Sequence, residues 1–350
     1  MDIVDILLEV LERGASDLHL SVGAPPAVRL DGELTPLDYP RLGANDTREL
    51  VYSILSQDQR QRLENDWEMD FSYSVPGRAR FRVNAYFQRN SLGAAFRLIP
   101  VEIPRLDELG LPQILHELTR KARGFVVVTG PTGSGKSTTL AAMIDEINET
   151  RQQHIMTIED PIEFLHRHKK CIVNQREVGA DTKGFERALK SVLRQDPDII
   201  LVGEMRDTET MATALTAAET GHLVFATLHT QDALQTIDRI VDVFPPHQQE
   251  QIRVQLSTTL MGVCSQQLLP RRDGAGRVVA CEVLIPTPAV RHLIRDAQTH
   301  QIPTAIQMGR SFGMQSMDDA LADLVRRGRL SRELALHHCS DADTFQRQVA

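Results

Sequence analysis

The sequence lacks any apolar run that approaches the ~20 residues needed to cross a bilayer, which argues against a membrane-spanning helix. Its opening stretch, Met1-Asp2-Ile3-Val4-Asp5, is acidic and lacks the positively charged start of a signal peptide. We therefore expect a cytoplasmic protein that contacts a membrane only through a partner or a surface.

Paired cysteines and a basic excess are also missing. Cys171, Cys264, Cys281 and Cys339 are scattered without a C-x-x-C pair, which argues against disulfides and structural zinc. The 39 Lys and Arg residues face 47 Asp and Glu residues, for a formal net charge of −8. A dedicated nucleic-acid binder normally shows a basic face, so we expect no nucleic acid as a partner.

A glycine-rich motif dominates what the sequence does contain. Residues 130–138 match G-x-x-x-x-G-K-[ST], between an apolar β-branched stretch at 125–129 and helix-forming residues at 139–144. In this context the glycines let backbone N–H groups approach the phosphates of a bound nucleotide. Lys136 is expected to reach the β- and γ-phosphates of ATP, and Ser137 to ligate Mg²⁺. The predicted nucleotide-binding residues are Gly130, Pro131, Thr132, Gly133, Ser134, Gly135, Lys136, Ser137 and Thr138.

The 350 residues suffice for two domains, and the first hundred favour a small α+β module. Apolar spacing predicts a helix over Asp2–Arg13. The boundary is expected in a linker at 99–112, between Pro100 and Pro104. The other predicted elements of this module are strands at 18–20, 27–30, 79–87 and 92–99 and a helix over Asp46–Leu63.

The remainder, residues 113–350, alternates strands and helices as a mostly parallel α/β sheet does. Short, uniformly apolar strands are typical of a sheet covered on both faces. A long helix is predicted from Gln248 to Leu269, with apolar residues every four positions and Pro270 at its end. The predicted strands are Phe125–Thr129, Ile155–Ile158, Ile199–Val202 and Leu223–Thr227.

Polar residues follow these strands, at the edge of the sheet where ligands bind. Glu163 and Glu204 are the leading candidates for holding Mg²⁺ through water and for orienting the attacking water. Glu159 and Asp160 fit either a role in the site or a satisfied turn, since Asp-Pro favours turns. His229 follows the last strand and could sense the γ-phosphate or link subunits, whereas His222 precedes it.

Four segments together resemble the Walker A, Asp box, Walker B and His box of the secretion and pilus ATPases. Segments 15–20 and 80–84 resemble the PAS-like domain of that family. The resemblance implies a RecA-like P-loop ATPase domain at 113–350, preceded by a PAS-like domain at 1–98. It also implies a hexameric ring that hydrolyses ATP with Mg²⁺. The four box segments are Gly130–Thr138, Ile158–Phe164, Asp196–Asp207 and Thr220–Thr230.

The resemblance assigns roles by matching motif. Lys136 would bind phosphate, and Glu163 and Glu204 would serve hydrolysis and metal positioning. His222 and His229 would form the His-box pair at the site. Arginines of the N-terminal strands would reach phosphate across an interface, although surface arginines are often simply solvated. The arginine candidates are Arg82, Arg97 and, more weakly, Arg194.

Two features favour the retraction branch of this family. Assembly and secretion members usually carry further N-terminal domains and a four-cysteine zinc module, which this sequence does not match. Residues 289–296 resemble the AIRNLIRE motif of retraction motors, with departures at Val290, His292 and Asp296. Arg291 and Arg295 share one face of this predicted helix and suit either an acidic partner or solvent. The departures leave an accessory retraction paralogue as an alternative.

The resemblance therefore implies a motor of type IV pilus retraction and twitching motility, at the cytoplasmic side of the inner membrane. Its expected partners are identical subunits, the membrane platform protein at the pilus base and a paralogous retraction ATPase. Two rival interpretations stay open: a nucleic-acid translocase on the same core, and an ATP-gated ring without turnover. The net negative charge disfavours the nucleic-acid translocase. The presence of Lys136, Glu163 and Glu204 disfavours a ring that does not hydrolyse ATP.

Overall fold

A computed structural model describes residues 1–30, 32–100, 102–274 and 276–349. The chain divides into two compact units. The first contains Met1–Glu102 and Glu163–Leu165, and the second contains Ile103–Ile162 and His166–Ala350. The division falls inside the predicted linker, of which Val101 lies outside the described residues. In the described part of the chain, no helix is both long enough and apolar enough to span a bilayer.

The first unit is built on a six-stranded antiparallel sheet of order β3-β2-β1-β6-β5-β4. Alternation along β5 buries Phe81 and Val83 on one face, as the sequence predicted. Its elements are α1 (Ile3–Glu12), β1 (Asp17–Leu20), β2 (Ala27–Leu30), β3 (Glu33–Pro36), α2 (Ala44–Ser53), α3 (Gln57–Asp66), β4 (Glu68–Val75), β5 (Ala79–Gln88) and β6 (Ser91–Ile99).

The single helix predicted over Asp46–Leu63 is wrong, because the segment forms two helices. Ser56 adopts an extended backbone (ψ 165°) between them and caps α3. Its hydroxyl accepts a hydrogen bond from the Gln59 N–H, and the Gln59 side chain accepts one from the Ser56 N–H at 2.9 Å. This reciprocal capping box satisfies two backbone donors at the start of α3. Ending one helix and starting another here therefore costs little free energy.

The second unit is built on a seven-stranded sheet of order β13-β12-β7-β11-β10-β8-β9. Its neighbouring strands are parallel apart from β13, which runs antiparallel to β12. The four predicted parallel strands are confirmed with ends shifted by at most one residue. Helices cover both faces, and the fully buried β7, β10 and β11 explain the unbroken apolar runs in the sequence.

The elements of the second unit, in chain order, are α4 (Ile114–Thr119), β7 (Gly124–Thr129), α5 (Lys136–Thr150), β8 (His154–Glu159), β9 (Ile172–Glu177), α6 (Phe185–Val192), β10 (Ile199–Val202), α7 (Thr208–Glu219), β11 (Leu223–Leu228), α8 (Ala233–Asp242), α9 (Pro246–Thr259), β12 (Leu260–Pro270), β13 (Arg277–Leu284), α10 (Pro288–Arg295), α11 (Ile302–Met308), α12 (Met317–Arg326), α13 (Arg332–His338) and α14 (Ala342–Gln348).

The long helix predicted from Gln248 to Leu269 is also wrong. Helix α9 ends at Thr259, and β12 begins at Leu260 with extended backbone (ψ 130°). The four-residue apolar spacing continues up to Leu260, and so periodicity alone did not reveal the break. Beyond it, Gly262 and the β-branched Val263 disfavour helix, and pairing with β7 lets the segment complete a buried sheet.

Candidate active site

The glycine motif forms the turn between β7 and α5. Gly130, Gly133 and Gly135 all have φ in the left-handed range, at 140°, 79° and 90°. Gly135 is the N-cap of α5, so the helix starts at Lys136 without a capping side chain. The first-turn N–H groups of a helix have no intrahelical acceptor and carry its positive dipole end. This geometry suits an anionic group such as a phosphate.

The Lys136 side chain folds over this turn. Its Nζ donates hydrogen bonds to the carbonyl oxygens of Gly130 at 2.8 Å and Pro131 at 3.0 Å. The ammonium group therefore lies above the loop, on a flexible stem that can exchange carbonyl acceptors for phosphate oxygens. Ser137 and Thr138 follow on the first turn of α5, half-buried.

Glu204 and His229 meet at the same edge of the sheet. Parallel pairing aligns Leu228 with Thr129 at the ends of β11 and β7 and pairs β10 with β11, so residues just beyond these strands are neighbours. His229 Nε2 lies 3.1 Å from Glu204 Oε1, and Arg206 Nη2 donates to Glu204 Oε2 at 2.7 Å. The sequence prediction that strand-end groups converge here is confirmed for this pair.

The hydrogen bond from Arg206 is the main reason that the pKa of Glu204 lies below its usual range. The charges of Arg206 and His229 act in the same direction, and partial burial acts against them. Glu204 is therefore held as a carboxylate, which is the form that binds a divalent cation.

Glu159, the last residue of β8, has partners of its own. Its Oε1 accepts hydrogen bonds from Thr157 Oγ1 at 2.5 Å and from Gln175 Nε2 at 3.1 Å. These bonds tie it to its own strand and to β9, which favours the structural alternative for this residue. Asp160 is exposed.

Glu163, Arg82 and Arg97 belong to the first unit. Glu163 is exposed. Arg82 and Arg97 are directly paired across β5 and β6. Arg97 Nε donates to Asp17 Oδ1 at 2.9 Å, and Arg82 is exposed and makes no side-chain hydrogen bond or ion pair with the described residues. Burial opposes ionisation of Asp17, yet hydrogen bonds from Ser16 and Arg97 hold its pKa below the usual range.

His222 and Arg194 lie at the opposite edge of the sheet from the glycine turn. His222 precedes β11, its carbonyl accepts from the Gly124 N–H at the start of β7, and its Nδ1 lies 2.9 Å from the Ala217 carbonyl. Because β11 spans Leu223–Leu228, His222 and His229 are separated by about 20 Å of strand. The expectation that both histidines lie at one site is wrong within a single chain. Arg194 likewise precedes β10 and is exposed.

Residues 289–296, which resemble the retraction motif and are called the retraction-like segment below, lie largely in helix α10, as predicted. The two arginines of this segment differ in their surroundings. Arg291 donates hydrogen bonds to the carbonyls of Ser257, Thr258 and Leu260, the last two at 2.9 and 3.1 Å. Burial lowers the pKa of Arg291 from its ordinary value. Arg291 therefore caps α9 within its own chain, and the alternatives of an acidic partner or solvent apply to the exposed Arg295. Arg295 itself is exposed.

Residues that sequence reasoning missed lie on β12, beside the glycine turn. Thr129 Oγ1 donates to Ser265 Oγ at 2.9 Å, and Gln266 Nε2 donates to Thr139 Oγ1 at 3.0 Å. No motif identified them, because β12 was predicted as helix. A cavity of about 280 Å³ lies next to the turn. It is lined by Pro131, Thr132, Gly133, Ser134, Gln231, Gln267, Leu268, Leu269 and His338.

The donor set fits a magnesium–nucleoside triphosphate. An ammonium group and helix N-terminal N–H groups suit phosphate oxygens, and a Cβ built on Gly133 would meet nothing within 4 Å, which leaves that face of the loop open. A serine hydroxyl at the start of α5 and an ionised carboxylate at Glu204 are the oxygen ligands that Mg²⁺ prefers.

Comparison with known proteins identifies the family. The model of the type II/IV secretion system protein family matches residues 2–334. The chain is 53% identical over 345 residues to the type IV pilus retraction ATPase PilT of Pseudomonas aeruginosa, covering 99% of this chain and 100% of the relative. It is 42% identical over 349 residues to the type IV pilus ATPase PilU of the same organism, covering 100% and 91%.

The fold matches a crystal structure of the pilus retraction motor PilT with bound ADP. The TM-score is 0.92, with 53% identity and 99% of each chain covered. The chain therefore belongs to the type II/IV secretion system protein family.

Proposed function

We propose that this chain is an ATPase that powers retraction of type IV pili and hence twitching motility. The observation that carries the proposal is the pairing of a glycine turn and Lys136 with the Glu204–His229 pair at one sheet edge. That pairing occurs in a chain 53% identical, over nearly its full length, to a pilus retraction ATPase. Magnesium, when bound with ATP, supplies charge neutralisation for the transferred phosphoryl group.

The proposed site residues of the second unit have distinct roles in binding ATP and magnesium. Lys136 and the N–H groups of the turn hold the β- and γ-phosphates, and the Ser137 hydroxyl and the Glu204 carboxylate hold the metal. A carboxylate with a lowered pKa is a weak proton acceptor, so Glu204 suits metal positioning better than general-base catalysis. Glu163, which belongs to the first unit, keeps its motif-based assignment as the candidate for orienting the attacking water. His229 is the candidate for reporting the γ-phosphate through Glu204.

Arg82 is the best candidate for an arginine supplied to the phosphates from another subunit. Arg97 is engaged by Asp17, whereas Arg82 is exposed with its guanidinium unpaired among the described residues. An arginine that arrives from elsewhere couples phosphate chemistry to subunit position. We infer a homo-hexamer that docks on the membrane platform protein at the pilus base, from the cytoplasmic side of the inner membrane.

Deletion of the gene, followed by pilus imaging and surface-motility assays, tests this function. Excess surface pili with lost motility support it, and bald cells contradict it because they indicate a role in assembly. Complementation with Lys136→Ala should fail to restore motility, since the variant lacks the phosphate-binding ammonium. Purified protein should release phosphate from ATP, and DNA or RNA should not change the rate; stimulation by nucleic acid would favour a translocase.

A paralogous retraction ATPase is a further proposed partner, and an accessory role is the second candidate function. The 42% identity to PilU and the departures from the retraction motif at Val290, His292 and Asp296 are the observations that favour an accessory role. In a host that lacks any paralogue, this gene alone should restore retraction. Restoration only when a paralogue is also present would assign the accessory role.

A further inference from the structure

Strand β12 lies directly behind the glycine turn. It pairs in parallel with β7, with Cys264 opposite Val128 and Ser265 opposite Thr129. The next residue on each strand continues this register, so Gln266 lies beside Gly130, the first residue of the turn. The end of β12 therefore supports the point at which the chain leaves the sheet.

Gln266 and its neighbour contact the turn at three places. Ser265 Oγ accepts from Thr129 Oγ1 at 2.9 Å, at the end of β7. The Gln266 carbonyl oxygen approaches Gly130 so closely that a Cβ there would lie 2.3 Å away. Gln266 Nε2 donates to Thr139 Oγ1, in the first turn of α5, at 3.0 Å. One strand thus holds both the entry to the turn and the helix that follows it.

The chemistry of Gln266 is unusual for its surroundings. Gln266 is 1% exposed and Thr139 2% exposed, so their hydrogen bond is shielded from water. The Gln266 Oε1 atom is also buried, and it finds no hydrogen-bond partner in the described parts of the chain. An unpaired buried acceptor costs free energy that an apolar side chain of the same size would avoid. Stability alone therefore does not explain a glutamine here.

We propose that Gln266 is a positioning residue for the phosphate loop, holding the turn and the start of α5 in the conformation that binds the triphosphate. The inference rests on the proposed assignment of this turn as the phosphate site. Pre-organisation of the loop stabilises bound substrate and transition state alike. Its loss should therefore raise KM and leave kcat nearly unchanged.

The test uses the full-length chain and Gln266→Leu, which keeps the size of the side chain and removes the amide. We expect the KM for ATP and the Kd of a fluorescent ATP analogue to rise about threefold to tenfold, with kcat within about twofold of wild type. Tm is measured as a check on folding, because removing the unpaired acceptor raises stability whereas removing the hydrogen bond to Thr139 lowers it. An unchanged KM, or a loss confined to kcat, would overturn the proposal.

Thr139→Val removes the acceptor of the hydrogen bond from Gln266. It provides the same test if Gln266→Leu fails to fold. Each single variant should give a similar rise in KM, and the double variant should be no worse than either, because both remove one interaction. Fully additive effects would contradict the proposal. Gln298→Leu, at an exposed glutamine after α10, is the matched control and should behave as wild type.

Lys136→Ala separates this inference from the assignment on which it rests. If that variant still binds the analogue, the assignment of the turn as the phosphate site fails, and the inference fails with it. If Lys136→Ala abolishes binding while Gln266→Leu binds like wild type, the phosphate site stands and only the role of Gln266 is rejected.

Discussion

At the residue scale, the Glu204 carboxylate lies between a guanidinium and an imidazole. The Arg206 contact is 2.7 Å and the His229 contact 3.1 Å. The arrangement keeps the group ionised while leaving it at the site edge, with 22% of its side chain exposed. A metal-positioning carboxylate needs both properties, because it must be charged and also reachable.

Arg206→Ala should shift the acid side of the ATPase pH profile to higher pH. The Arg206 hydrogen bond is the largest influence that lowers the pKa of Glu204, so its loss lets the carboxylate protonate earlier as pH falls. The measurement is kcat/KM for ATP between about pH 4 and 8. The matched control is Arg327→Ala, which breaks an exposed 2.8 Å ion pair with Asp323 on α12. An acid midpoint identical to wild type would contradict this role.

A second carboxylate, Glu282 on β13, is half-buried near the starts of two helices. Its Oε1 accepts a hydrogen bond from the Ala233 N–H at the start of α8 at 2.8 Å, and the Met317 N–H at the start of α12 also favours its ionised form. Burial raises its pKa from 4.5 to about 7. The backbone hydrogen bonds oppose this rise, and the nearby charges of Asp232 and Asp318 add to it.

Glu282→Gln should change the pH dependence of stability. Because the folded pKa is raised, the stabilising contribution of the protonated group is present in full below about pH 4.5 and is lost as pH rises through about 7. Relative to the variant, wild type should lose on the order of 3 kcal/mol at most over that window. Urea unfolding at pH 5 and pH 8 measures it, with exposed Glu333→Gln as control. A wild-type-to-variant difference that is equal at both pH values would refute the prediction.

Residue positions were predictable where a motif followed directly after a buried strand. Lys136, Glu204 and His229 were placed correctly at one edge, because strand ends in a parallel sheet converge. The motif could not show that His222 and His229 lie apart within one chain, because it groups residues by sequence whereas a six-residue strand separates them in space. Gln266 carried no signal in the sequence, since its side-chain contact is with Thr139 on α5, 127 positions away.

At the element scale, α10 is attached to the end of α9 by Arg291. Three carbonyls at the junction of α9 and β12 accept from this one guanidinium. The last carbonyls of a helix lack intrahelical donors, so a cation there satisfies both their hydrogen bonding and the helix dipole. The retraction-like segment thus contributes to the architecture of the second unit.

Arg291→Ala should lower the free energy of unfolding by about 1–3 kcal/mol, because it leaves part-buried carbonyls without donors. Arg295→Ala, four residues along the same helix but exposed, should stay within about 0.5 kcal/mol of wild type. Chemical denaturation of both variants checks the pair. Equal stability of the two variants would mean that the Arg291 contacts do not stabilise the junction.

Elements with a uniform pattern were predicted well and those with mixed signals were not. The buried parallel strands were unmistakable as short apolar runs between turn residues. Strand β9, Ile172-Val173-Asn174-Gln175-Arg176-Glu177, is largely polar and was missed, because it lies at the sheet edge. Strand β12 was missed because apolar spacing compatible with a helix continues to Leu260, and only pairing with β7 decides the outcome.

At the scale of the whole molecule, the proposed ring requires an arginine from one subunit to act on the nucleotide of another. Arg82 and Arg97 are adjacent on β5 and β6, and within the described part of the chain Arg97 alone of the two forms an ion pair, with Asp17. The neutralised partner lowers the repulsion between the two guanidiniums and leaves the charge of Arg82 for an external anion.

Arg82→Ala should preserve the assembly and lose most ATP turnover, at least about a hundredfold, as expected when an arginine that stabilises transition-state charge is removed. Size-exclusion chromatography with light scattering measures the assembly, and phosphate release measures turnover. Arg78→Ala, at the exposed turn of the same sheet, is the matched control. Wild-type turnover in Arg82→Ala would remove this residue from the mechanism, and a monomeric variant would assign it to assembly instead.

The direct passage from Thr259, the last residue of α9, to Leu260, the first of β12, has one more consequence. No loop residue separates the helix from the strand, and side chains alternate between the two faces along a strand. One extra residue at this point would move Ser265 into the place of Gln266 and Gln266 into the place of Gln267, and it would turn every later side chain of β12 to the other face. Homologous chains should consequently tolerate insertions and deletions in their surface turns but not at the junction of α9 and β12.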